Sequence, residues 1–293
     1  MKNNFKMLAC FILFTCFVVD IYAQEYAPVT FNDRRVINSH SVEMLEARKM
    51  DFRTSHRFGD MFGAQGGWPS FYGLENSTDI GIGFDYGIND NINVGISRTK
   101  GSGELRQLIN TYFKARLMRQ QINGKNPLSI TIAGMANVST MTKSSADGFL
   151  SFFPSPSNRW AYHIQLMFAR RMNSRLSLQL SLNYTYRDIV YNYDQHDLPS
   201  IGLASRLRLT KATSLIFDAT LPVLDGDRDT PQNYFPPIGF GLEFMTGGGH
   251  VFQINLTNAT GLSETDYIPY SFSDWTQGEF RLGFTIARKF SVY

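Results

Sequence analysis

Apolar and polar residues alternate along most of the chain beyond Arg48. Between Leu176 and Tyr186, every second residue is Leu or Tyr, and the residues between them are Ser, Gln, Asn or Thr. The same period of two recurs in 78–88, where isoleucine and aromatic residues alternate with glycine and aspartate, and in 201–209. A period of two is typical of β-strands that present two chemically different faces. The sequence therefore predicts an all-β protein.

Twelve segments carry this alternation, and many have about the 9–11 residues that a tilted strand needs to cross a bilayer. The predicted strands are Lys49–Phe58, Thr78–Ile88, Ile92–Lys100, Gln107–Arg119, Leu128–Met141, Arg159–Arg170, Leu176–Tyr186, Ser200–Leu209, Ser214–Leu221, Pro237–Met245, Val251–Thr257 and Glu279–Tyr293. Their connections are alternately short and long, with 101–106 as the exception. This arrangement is typical of an outer-membrane barrel. We predict an antiparallel transmembrane β-barrel over residues 48–293, with short periplasmic turns and longer external loops.

A soluble periplasmic β-sandwich is the alternative fold, because its strands also alternate but turn their apolar face inward. The placement of aromatic residues favours the barrel. On the phase predicted to face lipid, Trp160, Tyr162 and Tyr184 lie near the external ends of strands, and Phe168 and Phe290 lie near the periplasmic ends. Two such girdles match the two interfaces of a membrane.

The beginning of the chain has the pattern of a secretory signal peptide. A positively charged start precedes an apolar run from Met7 to Val19, and Ala23 is a small residue at a suitable cleavage position. We predict that residues 1–23 are removed. A membrane anchor or a lipoprotein signal at Cys16 fits less well, because the run is short and apolar residues continue beyond the cysteine. Both cysteines lie in this segment, so the mature chain is expected to have no disulfide and no thiolate site.

Residues 24–47 separate the signal peptide from the first predicted strand. Val42 and Leu45 share the apolar face of a predicted short helix that begins after Ser39 or Ser41. Two roles stay open for this segment. It either plugs the lumen from the periplasmic side or forms a loose periplasmic tail.

Composition and charge exclude several classes of protein. Of the 293 residues, 43% are hydrophobic and 18% are charged, which is too apolar for a disordered chain. The formal net charge of +3 is too small to indicate nucleic-acid binding, and we expect no nucleic-acid partner.

A set of short motifs spans nearly the whole chain after the signal peptide. They are Ile37–Glu43, Ser55–Gly59, Asp85–Ile88, Val94–Arg98, Thr246–Gln253, Leu256–Asn258 and Gly278–Phe284. In these motifs the chain resembles an uncharacterised family of Gram-negative outer-membrane β-barrels, a domain-of-unknown-function family. The resemblance implies a barrel in the outer membrane and supplies no catalytic or binding residues. The run Gly247–Gly249 has one glycine more than the family pattern, which we expect only to lengthen a periplasmic turn.

The phase predicted to face the lumen is rich in charged residues. Its candidate site residues are Arg53, Arg57, Arg106, Lys114, Arg116, Arg206, Arg208, Arg281, Asp218 and Glu243. Charge inside a barrel is unfavourable unless it is hydrated or paired. One interpretation is a network of cross-strand salt bridges that fills a narrow interior. The other is an arginine-lined path for anionic solutes, since the guanidinium fork suits carboxylate and phosphate.

The histidines give little support for catalysis. The five histidines form no close pair, so the sequence predicts no metal site and no cofactor. His56 falls on the lipid-facing phase near the external rim, where a histidine could activate a serine. Ser77 is predicted to precede its strand and so to lie out of place. We therefore expect the protein not to be an enzyme, with an outer-membrane hydrolase as a remote alternative.

The leading functional hypothesis is a passive outer-membrane channel for small solutes, with anions as the favoured class. The alternative is a closed barrel that is structural or that binds a protein through its long loops or its N-terminal segment. The expected partners are outer-membrane lipid, small anionic solutes and, for the alternative, an unidentified protein.

Overall fold

Twelve long strands dominate the computed structural model, which describes residues 26–192, 194–223 and 233–292. The predicted signal peptide, residues 1–23, lies outside the described residues. The strands are β1 (Lys49–Asp60), β2 (Ser77–Asn89), β3 (Ile92–Lys100), β4 (Gln107–Met118), β5 (Ser129–Ser139), β6 (Trp160–Arg171), β7 (Leu176–Arg187), β8 (Asp197–Arg208), β9 (Thr213–Pro222), β10 (Ile238–Met245), β11 (His250–Thr257) and β12 (Arg281–Ser291).

The strands form one closed antiparallel barrel. Each strand pairs with its neighbour in the chain, and β12 pairs with β1 from Ser291 opposite Lys49 to Arg281 opposite Asp60. Closure leaves no free sheet edge. The N–H and C=O groups of such an edge would find no hydrogen-bond partner in hydrocarbon. The predicted fold class and strand number are confirmed.

Connections of different length mark the two ends of the barrel. The turn end, where β1 begins and β12 ends, has the short connections 90–91, 172–175, 209–212 and 246–249 and the longer connection 119–128. The loop end carries 61–76, 101–106, 140–159, 188–196, 223–237 and 258–280. Strand β8 begins earlier than predicted, because Pro199 lies near its loop end, where one missing N–H donor is tolerated.

The two faces of the barrel are inverted relative to a water-soluble protein. In β7, Leu180 and Leu182 are 47% and 48% exposed, whereas the intervening Gln179 and Ser181 are each 2% exposed. A β-sandwich would bury the leucines and expose the polar residues. An apolar surface of this kind, with polar residues inside, requires lipid around it. The burial pattern therefore decides between the barrel and the sandwich.

Aromatic residues lie at both ends of the outer surface, as the alternation predicts. Near the loop end, Trp160, Tyr162 and Tyr186 stack in a row with ring centroids 6.3 and 6.5 Å apart. Near the turn end, Phe252 stacks on His250 at 5.9 Å. Such rings combine an apolar body with a polarisable or polar edge, which suits the membrane interfaces.

Residues 26–48, here called the inner segment, run inside the barrel. Thr30 to Leu45 is buried apart from the half-buried Arg35 and Glu43. A two-residue hairpin turns at Ile37, where φ is 52°, and pairs Arg35–Val36 with Ser39–His40. The barrel interior is thus occupied by the part of the chain that precedes β1.

The predicted short helix after Ser39 or Ser41 is wrong, since the described residues 26–48 contain no helix. The amides that a helix would use bond to the barrel wall instead. Val42 N donates to Gln179 Oε1 at 2.9 Å, and Leu45 N donates to Asn93 Oδ1 at 2.7 Å. In a helix each of these amides would donate to the carbonyl four residues earlier in the chain, whereas here side-chain oxygens of the wall accept the hydrogen bonds.

The long connection 258–280 folds into the loop end of the lumen. It contains a one-turn helix, α1 (Glu264–Tyr267), all of whose residues are buried. Asn137 Nδ2 on β5 donates to Ser263 Oγ at 2.6 Å and to Thr265 Oγ1 at 2.8 Å. The helices in the described ranges are short, and none is long and apolar enough to cross a membrane.

Candidate functional site: the filled lumen

The inner segment is hydrogen-bonded to eleven of the twelve strands, and its apolar side chains contact the remaining strand, β6. The wall residues that bond to it include Asp51, Asp85, Asn93, Lys114, Thr131, Gln179, Arg206, Asp218, Glu243, Gln253 and Lys289. On β6, Met167 and Ala169 belong to a buried apolar cluster with Phe31, Val36 and Val42. Contacts around the full circumference hold the segment near the barrel axis.

Ion pairs join the inner segment to the wall strands β1 and β2. Arg34 bridges Asp51 and Asp85, and its Nη2 lies 2.8 Å from Asp85 Oδ2. Asp33 pairs with Arg53. Burial raises the pKa of Asp33, but Arg53 and Arg34 outweigh it and hold the pKa below its usual value. The carboxylate therefore stays ionised, and each of these five charged groups faces an opposite charge.

The hairpin is held by a clamp of two wall side chains. Asp218 accepts hydrogen bonds from Asn38 N at 3.0 Å, Asn38 Nδ2 at 3.0 Å and Ser39 N at 3.1 Å. Gln179 Nε2 donates to His40 O at 2.7 Å. Gly239 makes room for the hairpin, because a Cβ there would lie 2.9 Å from Ile37 Cγ2. The wall is shaped to this segment as well as bonded to it.

The inner segment also contacts the loop-end helix α1. Arg35 Nη1 lies 2.8 Å from Glu264 Oε1, and Arg35 Nη2 lies 2.9 Å from His40 Nε2. Burial, with the nearby Arg35, holds the pKa of His40 well below its usual range, so the ring is neutral. The inner segment and α1 thus form one continuous filling of the lumen.

Apart from Arg206, five of the predicted lumen residues bond to this filling. Arg57 donates to Asn38 Oδ1 and to the carbonyls of Ala259 and Gly261, so it joins the wall, the inner segment and the loop 258–280. The other four and their contacts are Arg53 with Asp33, Lys114 Nζ with Glu43 O at 2.7 Å, Asp218 with the hairpin, and Glu243 with Asn32 Nδ2 at 2.7 Å.

Arg206 links the inner segment to a second wall strand. Its Nη1 donates to Thr30 O at 3.0 Å, and its Nε lies 3.8 Å from Glu243 Oε1. Among the ion pairs of the described residues, this one joins two wall strands, whereas the pairs of Arg34 and Arg53 join wall to inner segment. The salt bridges predicted between wall strands are therefore mostly salt bridges between the wall and the inner segment.

The remaining candidates lie at the two ends. Arg281 donates to Ser273 Oγ at 3.1 Å at the loop end, and Arg116 donates to Asp90 O at 3.1 Å at the turn end. Arg208 is half-buried at the last position of β8. The prediction that Arg106 faces the lumen stays a prediction. Its carbonyl closes the turn 101–106 against Gly101 N, and its exposed side chain lies ahead of the first residue of β4.

Open space remains mainly at the two ends of the lumen. A vestibule of about 680 Å³ at the loop end is lined by residues that include Asp60, Glu279 and Arg281. A pocket of about 410 Å³ at the turn end lies between the inner segment and residues such as Lys289. The cavity between the inner segment and α1 measures about 70 Å³, room for only a few water molecules. Within the described residues, the inner segment and α1 fill the middle of the lumen.

The inner wall is polar even where the filling makes no hydrogen bond to it. Gln165, Asn183 and Ser200 stand side by side on β6, β7 and β8. All three are buried, and one oxygen of each makes no hydrogen bond within the described protein. Buried polar atoms of this kind are normally bonded to water. The described residues contain no group of His, Cys, Asp and Glu that could hold a metal ion.

Ser77, near the loop end, lies at a different position from the one that the sequence predicts. Ser77 does not precede β2 but begins it, and its Oγ lies 3.1 Å from His56 Nε2 on the outer surface. The misplacement has a physical cause. The register shifts between Arg57 and Phe58, and such a bulge leaves no trace in the period of two.

Residues 31–290 match a protein family described as a membrane bound beta barrel domain (DUF5777). The chain belongs to this family. The match confirms the resemblance carried by the motifs between Ile37 and Phe284, and the chain is a membrane-bound β-barrel. Among curated proteins, no sequence matches it.

Solved structures with a similar backbone are outer-membrane channels. The NanC porin is 8% identical with a TM-score of 0.47, over 83% of this chain and 100% of that chain. The KdgM porin is 7% identical with a TM-score of 0.47, over 84% and 99%. The COG4313 outer membrane channel from Pseudomonas putida F1 is 12% identical with a TM-score of 0.49, over 87% and 100%. Likeness at this level carries no information on solute or mechanism.

Proposed function

We propose that the protein is a gated channel of the outer membrane, which admits small anionic solutes when the inner segment leaves the lumen. The observation that carries the proposal is the polar inner wall behind a separate filling. The inward positions of β7 are Ser177, Gln179, Ser181, Asn183, Thr185 and Arg187. A barrel that is permanently solid could fill these positions with apolar side chains, as protein cores do.

The way the inner segment is held supports reversible docking. It bonds to the wall through hydrogen bonds and ion pairs, for which water is a ready substitute. Its apolar contacts include one cluster around Phe31, Val36 and Val42, and Met44 and Leu45 are buried as well. The segment enters from the turn end and is continuous with β1 only at Lys49. Its departure toward the periplasm would thus hydrate a polar wall without unfolding a strand.

The charges that line the turn end favour anions. Arg116, Arg208 and Lys289 lie at or near the last positions of β4, β8 and β12, where a solute would pass. Deeper in the lumen, Arg53 loses its partner Asp33 when the inner segment leaves, and Arg206 loses Thr30 but keeps Glu243. Asp51 and Asp85 lose Arg34 in the same step. Guanidinium groups freed in this way can bind carboxylate or phosphate through paired donors. We take outer-membrane lipid as the surrounding partner and expect no catalysis in the lumen.

Conductance in planar bilayers tests the gate. The chain without its signal peptide should conduct rarely, and a variant that lacks residues 26–45 should conduct continuously with a reversal potential that favours anions. The faster migration of unheated samples on gels, which is typical of closed barrels, confirms that both proteins are folded. Exposed Asp147→Ala provides a control that leaves the gate unchanged.

A folded deletion variant that carries no current would overturn the channel. It would favour the closed barrel. A folded deletion variant that prefers cations would overturn only the choice of solute. Fractionation of the chain away from the outer membrane would contradict the location.

A further inference from the structure

Ser77 and His56 form a hydrogen-bonded pair on the outer surface of the barrel. His56 Nδ1 lies 2.8 Å from the carbonyl oxygen of Asp79, and Nε2 lies 3.1 Å from Ser77 Oγ. A carbonyl only accepts, so Nδ1 carries the proton of the neutral ring. The lone pair of Nε2 therefore points at Ser77, whose hydroxyl donates to it. This is the arrangement of a nucleophile, a base and a group that orients the base.

A β-bulge creates the pair. Arg57 lies opposite Asp79 and Phe58 lies opposite Ser77, so Thr78 is the extra residue. Thr78 Oγ1 fixes the bulge through hydrogen bonds to the carbonyls of Arg57 at 3.1 Å and Phe58 at 2.8 Å. In a regular strand, Ser77 would share the inward phase of Asp79. The bulge turns the serine to the outer face, and bulges are known to aim side chains at functional sites.

The surroundings of the pair match the depth of lipid ester bonds. The His56 ring packs against Phe58 and Phe284 at centroid distances of 4.6 and 5.4 Å. The connection 61–76, which leads directly into Ser77, exposes Phe62 and Trp68. Aromatic residues gather where the headgroups of a membrane meet its hydrocarbon, and the acyl esters of lipids lie at this boundary. Water is available there as well.

A cation on the same face completes the patch. Ile80 lies opposite His56 on β2, and Lys100 lies opposite Ile80 on β3. Ile80 and Lys100 are both exposed on the outer surface. An ammonium group at this level can bind the phosphate of a lipid headgroup while the acyl chain lies along the apolar wall.

We propose that Ser77 and His56 hydrolyse a fatty-acyl ester of a membrane lipid. Ser77 Oγ attacks the ester carbonyl carbon while His56 Nε2 takes the hydroxyl proton. The bond from the carbonyl carbon to the alcohol oxygen breaks, and His56 returns the proton to the departing alcohol. Water then attacks the acyl-serine with His56 again as the base, which releases the fatty acid and restores Ser77. The sum is ester plus water to acid plus alcohol.

Fatty-acid release tests the proposal with the full chain in mixed micelles. One set of micelles contains phosphatidylglycerol and phosphatidylethanolamine, and another contains lipopolysaccharide, so that the source of the ester is distinguished. Release from either should fall by about 10²- to 10⁴-fold in Ser77→Ala and in His56→Gln. Ser145→Ala, which alters an exposed loop serine, should retain full activity.

A covalent probe tests the nucleophile independently of the choice of lipid. An alkyl fluorophosphonate should label Ser77, as located by peptide mass spectrometry, and the His56→Gln variant should lose the label. The faster migration of unheated samples on gels confirms that each variant is folded. A folded wild-type chain that neither releases fatty acid nor reacts with the probe would overturn the proposal. Activity that persists in Ser77→Ala would equally overturn it.

Discussion

Replacement of Asp218 by alanine should loosen the inner segment while the barrel stays closed. The Asp218 carboxylate accepts three hydrogen bonds from Asn38 and Ser39, and all three residues are buried. Hydrogen bonds to charged groups contribute about 1.5–3 kcal/mol each. The desolvation of the carboxylate on docking offsets part of that sum, so we expect a net loss of about 2–4 kcal/mol. This corresponds to about a 30- to 1,000-fold shift toward the undocked state.

Hydrogen exchange followed by mass spectrometry measures this shift directly. Amides of the hairpin and of Val42 should exchange about 30- to 1,000-fold faster in Asp218→Ala than in the wild type. Asp218→Asn keeps one oxygen that can accept, so its effect should be smaller. Asp147→Ala provides the control for removal of an exposed carboxylate.

Two results would contradict the proposed role of Asp218. Unchanged protection of the hairpin in a folded Asp218→Ala variant would mean that these hydrogen bonds do not hold the segment. Loss of the fast-migrating folded form on gels would mean that the same carboxylate holds the wall together, and docking would then be inseparable from folding of the barrel.

Three further predictions concern the outer surface, the charges and the loop end. Leu180→Arg should lower the free energy of unfolding, measured in denaturant titrations, by about 2–4 kcal/mol, because Leu180 faces lipid near the bilayer midplane. Leu209→Arg, at the turn end, should lower it by about 0–1 kcal/mol. Equal losses would contradict these two depths. The double variant Arg206→Gln, Arg208→Gln should lower the melting temperature, because Glu243 loses its ion-pair partner. In a protein that also lacks the inner segment, the same two substitutions should shift the reversal potential toward cation preference. An unchanged melting temperature and an unchanged reversal potential would mean that these arginines contribute neither to stability nor to ion selectivity. Burial raises the pKa of the Asp266 carboxyl well above its usual value, so the folded protein binds a proton at Asp266 more tightly than the unfolded chain does. The contribution of the protonated carboxyl to the stability of the fold therefore falls as the pH rises above about 4. Asp266→Asn should therefore raise the melting temperature more at pH 8 than at pH 4, and a pH-independent difference would be inconsistent with a protonated carboxyl.

The barrel and the lipid-facing phase of its strands could be predicted from the sequence. Alternation such as that from Leu176 to Tyr186 is a local property, because consecutive side chains of a strand point to opposite faces. Lipid on one side and polar surroundings on the other impose that pattern on every strand. Closure follows from the hydrogen-bonding needs of the sheet edges. Strand number, connection lengths and the aromatic girdles could therefore be predicted without any knowledge of distant contacts.

What fills the lumen depends on contacts between residues that are far apart in the chain. Asn38 and Asp218 are 180 positions apart in the chain, and no period or motif indicates that they meet. The same holds for the inner segment as a whole, whose residues follow the shape and acceptors of the wall instead of a helical repeat. The pairing of Ser77 with His56 depends on one extra residue at a bulge. Contacts of this kind arise from the register and closure of the whole sheet, which a local pattern does not encode.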